Sequence, residues 1–349
     1  MGENYYDTLQ SPLFQKPQIN LARSTALRMW LVNICAFMTI LQSSLSDSFS
    51  SLLVALSAVS AAVLTEFLIL HRSSRAKAVK NGSAIASALI LTLLLPNQIN
   101  PVYAALGTIF AIAVIKHSFG GLGSNWLNPA AGGWLFIRLS WPASFNSALE
   151  NSLLSSSINT GSMGGFFSAP THLDSVLRSF LNDTVFSLTK VELPGGYMDL
   201  FASRFPGIIA DRGVFALLIG TIILIAFKVN RSWIPLLYLA VFAILVRFAG
   251  ALPGGGEFWN GDVFFALCSG GTLTAAFFLA SDPSTGAKSN YCIALAAIAG
   301  GGIAFLFRFY GDEPYGAVFA AVLINALLPL VRIVENRRLY ERQAIIHER

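Results

Sequence analysis

Long apolar runs separated by short polar stretches repeat along this chain from residue 29 almost to its end. Ten runs stand out, at 29–45, 50–70, 83–96, 101–116, 127–141, 213–229, 233–250, 262–280, 291–309 and 315–333. Runs of this length and apolarity predict membrane-spanning helices. The third and fifth, of about 15 residues, fall short of the ~20 that a straight span needs. They are therefore expected to be broken or to lean on neighbours. The first run has no small-residue cleavage pattern behind it and reads as an uncleaved span.

Composition strengthens this picture. Only 12% of the 349 residues are charged, 54% are hydrophobic, and the mean hydropathy is +0.63. A soluble domain carries about twice that charge, so a soluble enzyme and a disordered chain are both excluded. Three cysteines, Cys35, Cys268 and Cys292, lie inside apolar runs. They make neither a disulfide scaffold nor, alone, a zinc or iron–sulfur site, which takes about four ligands. The net charge of +5 comes from basic clusters between the runs, a topology signal rather than a nucleic-acid surface. With the N-terminus inside, 16 of the 23 Lys and Arg residues fall on the inner side. That asymmetry predicts both termini in the cytoplasm and the long connection outside, in a cell (inner) membrane.

The expected fold class is an all-α polytopic membrane protein with about ten transmembrane helices. A cytoplasmic segment 1–28 precedes a first five-helix repeat, 29–141, and an outer-face loop, 142–212. A second five-helix repeat, 213–333, and a cytoplasmic tail, 334–349, complete it. The repeat reading rests on matching punctuation. Asn81-Gly82-Ser83 opens a short apolar run ending at Pro96, and Ser269-Gly270-Gly271-Thr272 opens another ending at Ser281-Asp282-Pro283. Lys116 to Gly120 closes span four, and Arg308 to Gly311 closes span nine. Five spans per half is an odd number, so a duplication places the halves in opposite orientation. Inverted repeats with broken helices usually bind something near the midplane. The glycine-marked ends, Gly82 and Gly120 to Gly123, are then expected to meet Gly270 and Gly271 near the core. Tight packing of small residues is the plainer alternative.

Chemistry-bearing side chains are sparse. His71, His117, His172 and His347 show no metal-ligand spacing, and no metal site is expected. Ionisable groups near spans are functional candidates by default. Glu66, Asp262 and Asp282 are the candidates for an ion path.

Several motifs in register resemble a known family. They are Asn81-Gly82-Ser83-Ala84 with Leu94-Leu95-Pro96, and Lys116-His117-Ser118-Phe119-Gly120-Gly121-Leu122-Gly123-Ser124-Asn125 followed by Leu127-Asn128-Pro129-Ala130. Ser269-Gly270-Gly271, Ala276-Phe277-Phe278-Leu279-Ala280-Ser281-Asp282-Pro283, Arg308-Phe309-Tyr310-Gly311 and Asn325-Ala326-Leu327-Leu328-Pro329-Leu330 follow in order. Together they resemble the RnfD/NqrB family of membrane subunits in ion-translocating electron-transfer complexes, over roughly 80–140 and 195–333. The resemblance implies a flavoprotein subunit of a ferredoxin:NAD⁺ oxidoreductase that moves Na⁺ or H⁺. Its partners are other Rnf-type subunits (membrane, flavoprotein and iron–sulfur) and membrane lipid, with no nucleic acid.

It further implies FMN joined through phosphate to a threonine of the outer loop. Asp183-Thr184-Val185-Phe186-Ser187-Leu188-Thr189 keeps the family's Asp and Thr six residues apart, making Thr189 the attachment candidate and Asp183 its companion. Phe186, Ser187 and Leu188 depart from the Ser-Gly-Ala of the family motif. Riboflavin or a second flavin is the other expected cofactor. The further candidate cofactor-binding residues are Asn81, Gly82, Ser83, Gly120, Gly121, Gly123, Asn125, Asn128, Gly270, Gly271 and Thr272. The rival reading is a small-solute transporter or channel built from the same inverted halves, and a purely structural anchor is a third.

Overall fold

The computed structural model describes residues 25–45, 49–70, 81–118, 120–121, 125–145, 176, 179–180, 201, 207–229, 231–282, 289–311 and 313–347. Most of the outer connection, including Asp183 and Thr189, lies outside the described residues, as does Gly123. The described chain is helical throughout, with one isolated antiparallel bridge between Pro96 and Ile208.

Five helices match the first five predicted spans: α1 (Thr25–Leu45), α2 (Ser50–Leu70), α3 (Ser83–Leu93), α4 (Pro101–Phe110) and α5 (Pro129–Ser140). A wider π-helical stretch, Ala111–Lys116, extends α4. A short helix, α6 (Ile209–Arg212), leads into α7 (Val214–Ala226) and α8 (Trp233–Ala249). The eighth predicted span is two pieces, α9 (Val263–Cys268) and α10 (Thr272–Thr274), the second extended by π turns over Ala275–Ala280. Then come α11 (Asn290–Phe309) and α12 (Gly316–His347), which runs on without a break at residue 333. α1, α2 and α11 are long and apolar enough to cross a membrane. Large apolar side chains such as Leu53, Leu56, Leu64, Leu68 and Ile222 stand exposed on the helix faces, the surface of a helical membrane protein.

Local sequence explains where the helices start. Asn100 and Asn128 each precede a proline, and each side chain accepts the backbone N–H two residues on, at 2.9 Å. An Asn cap followed by Pro satisfies one free N–H and removes another. α3 instead begins at Gly82, whose φ of +69° only glycine adopts without strain. Its sister feature is the break at Gly270 and Gly271, with φ of +64° and +70°. Two successive left-handed residues cannot continue a right-handed helix, so span eight is interrupted.

The short third span leans on its neighbours, as its length required: all of Ser83–Leu93 except Ile85 and Ser87 is buried. Small residues allow this density. A Cβ on Gly133 would lie 2.8 Å from the Gly107 carbonyl, and one on Gly213 would lie 2.4 Å from that of Thr39. α7 thus packs along α1, and Trp134 of α5 meets Phe319 of α12 edge-on, ring centres 4.8 Å apart. Both contacts join the first half of the chain to the second.

One expectation is overturned. Gly82 and Gly121 do not meet Gly270 and Gly271. Gly82 borders Trp30 and Asn33, whereas Gly271 borders Ile208, Val318 and Leu94. Leu94 sits just beyond the far end of α3, about 18 Å from Gly82 at 1.5 Å per residue. The two glycine clusters mark opposite ends of the bundle because each starts a half-helix running toward the other.

Neighbouring glycines on α11 provide a test of this packing. A Cβ on Gly301 would meet the Tyr238 carbonyl at 2.6 Å, while Gly302 has only Leu245 at 4.0 Å. Gly301→Ala should destabilise by about 1–3 kcal/mol through overpacking. Gly302→Ala should be neutral or stabilising by up to about 1 kcal/mol. Thermal unfolding in detergent reads both; equal melting of the two variants would contradict the close α8–α11 crossing.

Candidate functional site

At one end of the bundle, several predicted residues converge around a buried ion pair. The Lys116 ammonium, closing α4, donates to Glu66 Oε1 of α2 at 2.5 Å and to Ser83 Oγ of α3 at 2.7 Å. Glu66 and Lys116 are both buried, 3% and 2% exposed. His117 Nε2 lies 3.7 Å from the same carboxylate oxygen. Glu66, an ion-path candidate, is therefore an ion-pair partner here.

Beyond Lys116 the chain turns through Gly120 and Gly121, both left-handed. With its nitrogen facing that turn, the Asn125 amide donates to the carbonyls of Lys116 and Gly121 at 3.3 and 3.1 Å. Asn128 does two things at once. Its oxygen caps α5, while its nitrogen donates to Asp282 at 2.8 Å, across from the end of the broken span eight. Asn81 is half-buried at the entrance to α3. Both π-helical stretches end at this cluster, one at Lys116 and the other two residues before Asp282. Such widened turns are frequent at functional sites.

Two cavities flank it. A small one, about 140 Å³, is lined by Ser83, Lys116, Asn125, Asn128 and Asp282. The larger, about 750 Å³, is walled by Trp233, Tyr238, Ser281, Asp282 and small residues of α11 and α12. Arg28, Lys228 and Arg231 supply its charge. Arg28, Val229 and Asp282 line both. The Arg28 Nε is buried and finds no partner among the described residues. Only the larger cavity falls in the ~300–1,000 Å³ range of small-molecule sites. Its two aromatic walls, its cations and the unpartnered Arg28 nitrogen fit a flat, polar-edged, anionic group such as a flavin.

At the other end lies a second buried cluster. Asp211 of α6 accepts the Gly270 and Gly271 N–H groups, one on each carboxylate oxygen, at 2.8 and 2.9 Å. Arg308 of α11 donates to the carbonyls of Ala266 and Ser269, at 2.7 and 2.8 Å, and to the hydroxyls of Ser269 and Thr272. Burial pushes the Asp211 carboxyl up to about 6, against the Gly271 N–H, the Arg308 charge and the Gly270 N–H. Asp262 caps α9 by accepting the Phe265 N–H at 3.0 Å. Gly270, Gly271, Thr272 and Asp262 thus stand apart from the Lys116 cluster.

Asp211 and Arg28 escaped the sequence reading. Each is a charged residue at the edge of an apolar run, where a solvated position is the ordinary case; only three-dimensional burial distinguishes them. Among the described residues no group of His, Cys, Asp and Glu could hold a metal ion.

Known proteins share this architecture's sequence pattern along nearly the whole chain. The sequence model of the NQR2, RnfD, RnfE family matches residues 13–341. This chain belongs to that family. It is 28% identical over 342 residues to the D subunit of the ion-translocating oxidoreductase complex of Vibrio cholerae, covering 93% of this chain and 97% of that protein. The D subunit of the proton-translocating ferredoxin:NAD(+) oxidoreductase complex of Clostridium ljungdahlii is 27% identical over 316 residues, 90% of this chain and 91% of its own. The corresponding D subunit of the Na(+)-translocating ferredoxin:NAD(+) oxidoreductase complex of Acetobacterium woodii is 29% identical over 299 residues, 82% of this chain and 81% of its own. Both buried clusters fall within the region that the family model matches.

Removing one member of a buried ion pair strands the other, at about 3–5 kcal/mol. Lys116→Met should lower the melting temperature sharply, and Lys116→Met with Glu66→Gln should recover most of the loss. A double variant as unstable as the sum of its single variants would show that the two side chains are not coupled.

Proposed function

We propose that this protein is the D-type membrane subunit of an ion-translocating ferredoxin:NAD⁺ oxidoreductase, carrying flavin and working only together with its sister subunits. The carrying observation is the near full-length family match, with relatives of that name aligned over at least 82% of this chain. Iron–sulfur clusters and nucleotide sites belong in partner subunits, in keeping with three scattered cysteines here. The names of the relatives include both proton-translocating and Na(+)-translocating complexes, so the ion is set by details within the family.

Two flavin positions follow. FMN is attached at Thr189, with Asp183 as the upstream element of its motif. A second, non-covalent flavin occupies the cavity bounded by Trp233, Tyr238 and Asp282. There Arg28, Lys228 and Arg231 hold its polar or phosphate end, and Asn128 orients the Asp282 carboxylate. A flavin supplies electron transfer in single or paired steps. The chain's own part is to bind it, exclude water and fix it between the two halves.

The halves themselves are read as inverted repeats. Gly82, Ser83 and Lys116 correspond in order and chemistry to Gly271, Thr272 and Arg308. In each set a left-handed glycine starts a half-helix, and a buried cation holds the hydroxyl of its first residue, at 2.7 Å and 3.1 Å. In keeping with the basic asymmetry, both termini are read as cytoplasmic, with the Lys116 cluster inside and the Asp211 cluster outside, in a cell membrane.

The test uses the complex purified with its flavin transferase present. The intact mass of this chain should exceed that of the polypeptide by one FMN, and Thr189→Val should remove the increment without changing yield. Acid extraction should release a further flavin, reduced at least severalfold in Arg28→Ala. A chain free of flavin at both positions, in a complex still active in electron transfer, would favour the transporter or channel reading instead.

A further inference from the structure

The interruption of span eight faces two helix ends toward each other. The carbonyl end of α9 carries partial negative charge, and the N–H end of α10 carries partial positive charge. In transporters with broken helices such ends hold ions or charged substrate groups. Here the chain fills both itself. The Arg308 guanidinium sits on the α9 carbonyls of Ala266 and Ser269, and the Asp211 carboxylate sits on the amides of Gly270 and Gly271 that lead into α10. Asp211 is 3% exposed, and its two oxygens take one N–H each in the manner of a bound carboxylate ion.

Asp211 does not come from a spanning helix. It lies in α6, at the base of the long connection, where the chain is pinned again on either side. The Ile209 N–H donates to the Leu95 carbonyl at 3.0 Å, and the Ile208 side chain would be 2.9 Å from a Cβ on Gly271. Ile208 also bridges to Pro96, just beyond the end of α3. The base of the connection is therefore seated between the two half-helices, with a charge on the break and apolar side chains beside it.

We propose that the break at Gly270–Gly271 is a carboxylate-binding cradle permanently occupied by the chain's own Asp211, a positioning residue that ties the outer connection to the broken span. Movement of α6 is then movement of the α9–α10 junction. With Asp211 as this strap, the break is closed to external ions. Among the described residues the first half shows no counterpart: at the start of α3 the Gly82 carbonyl takes the Asn33 amide, and the charged partner of Ser83 is a lysine. The strap thus distinguishes one end of the bundle from the other. The coupling role rests on the function proposed above; the cradle does not.

The test compares Asp211→Asn and Asp211→Ala in the purified complex. Asn keeps the shape and one acceptor oxygen, so that variant should accumulate normally. Amide hydrogen exchange over 263–282 should nonetheless quicken at least tenfold relative to wild type. The Ala variant should melt at lower temperature, with sodium formate, but not sodium chloride, restoring more than half of the loss. Wild type should not respond to formate, because its cradle is filled. In vesicles containing the whole complex, Asp211→Asn should keep electron transfer within twofold while ions moved per electron pair fall by half or more. Unchanged exchange in the Asn variant, or an Ala variant indifferent to formate, would overturn the cradle. A parallel fall of electron transfer and ion movement would overturn the coupling. A wild-type complex that moves no ion would instead count against the function reading, leaving the exchange and formate results to stand by themselves.

Discussion

A helix that stops inside an apolar layer leaves peptide groups facing no water, each costing several kcal/mol if unsatisfied. Everything distinctive about this protein follows from meeting that demand at two places, the start of α3 and the break between α9 and α10. At each, left-handed glycine redirects the backbone and a buried cation arrives from the end of another helix, Lys116 in one case and Arg308 in the other. A buried cation in turn needs an anion nearby. Glu66 serves Lys116 directly, and Asp211 neutralises the neighbourhood of Arg308 from across the helix break. The sparse charge of the chain is concentrated at those points rather than spread over a surface.

This economy explains what was legible in the sequence. The ten apolar runs predict the helices well because a membrane span is a property of composition over many residues. The glycine punctuation likewise marks both half-helix starts. The boundaries were less readable. Span three stops at Leu93 rather than Pro96, and span five starts at Pro129, because caps and turns decide ends, not hydropathy. Span eight read as one run, 262–280, since two glycines barely change mean hydropathy although their left-handed backbone divides the helix. The pairing of glycine clusters failed for a geometric reason. Sequence offsets mark positions that resemble each other without placing them side by side: Gly82 borders Trp30 and Asn33, and Gly271 borders Ile208, Val318 and Leu94.

The candidate site shows the same split. Ser83, Asn125, Asn128 and Asp282 are neighbours in space, and each belongs to a motif that the family resemblance marks out. Arg28 and Asp211 belong to no such motif. Their importance comes from burial against elements distant in sequence. Asn128 illustrates how closely fold and site are joined. The oxygen that starts α5 and the nitrogen that fixes Asp282 are on one amide, so the helix cap itself orients a carboxylate that lines both cavities.

The two ends of the bundle differ in one respect that bears on how such a molecule could convert local change into movement. The carboxylate serving Lys116 comes from α2, a helix of the same half that packs directly on α3 and α4. The Glu66–Lys116 ion pair is internal to the first half, and the cluster meets the second half through the Asn128 amide on Asp282. The carboxylate at the α9–α10 break comes from a four-residue helix at the base of the outer connection, hydrogen-bonded also to the chain beyond α3. Three segments distant in sequence therefore meet around one charge. Low-dielectric surroundings make that charge expensive to leave unpaired, so the segments shift together or not at all. A carboxylate from the base of the connection at the Gly270–Gly271 break means that the geometry of this end is set from outside the span that it holds.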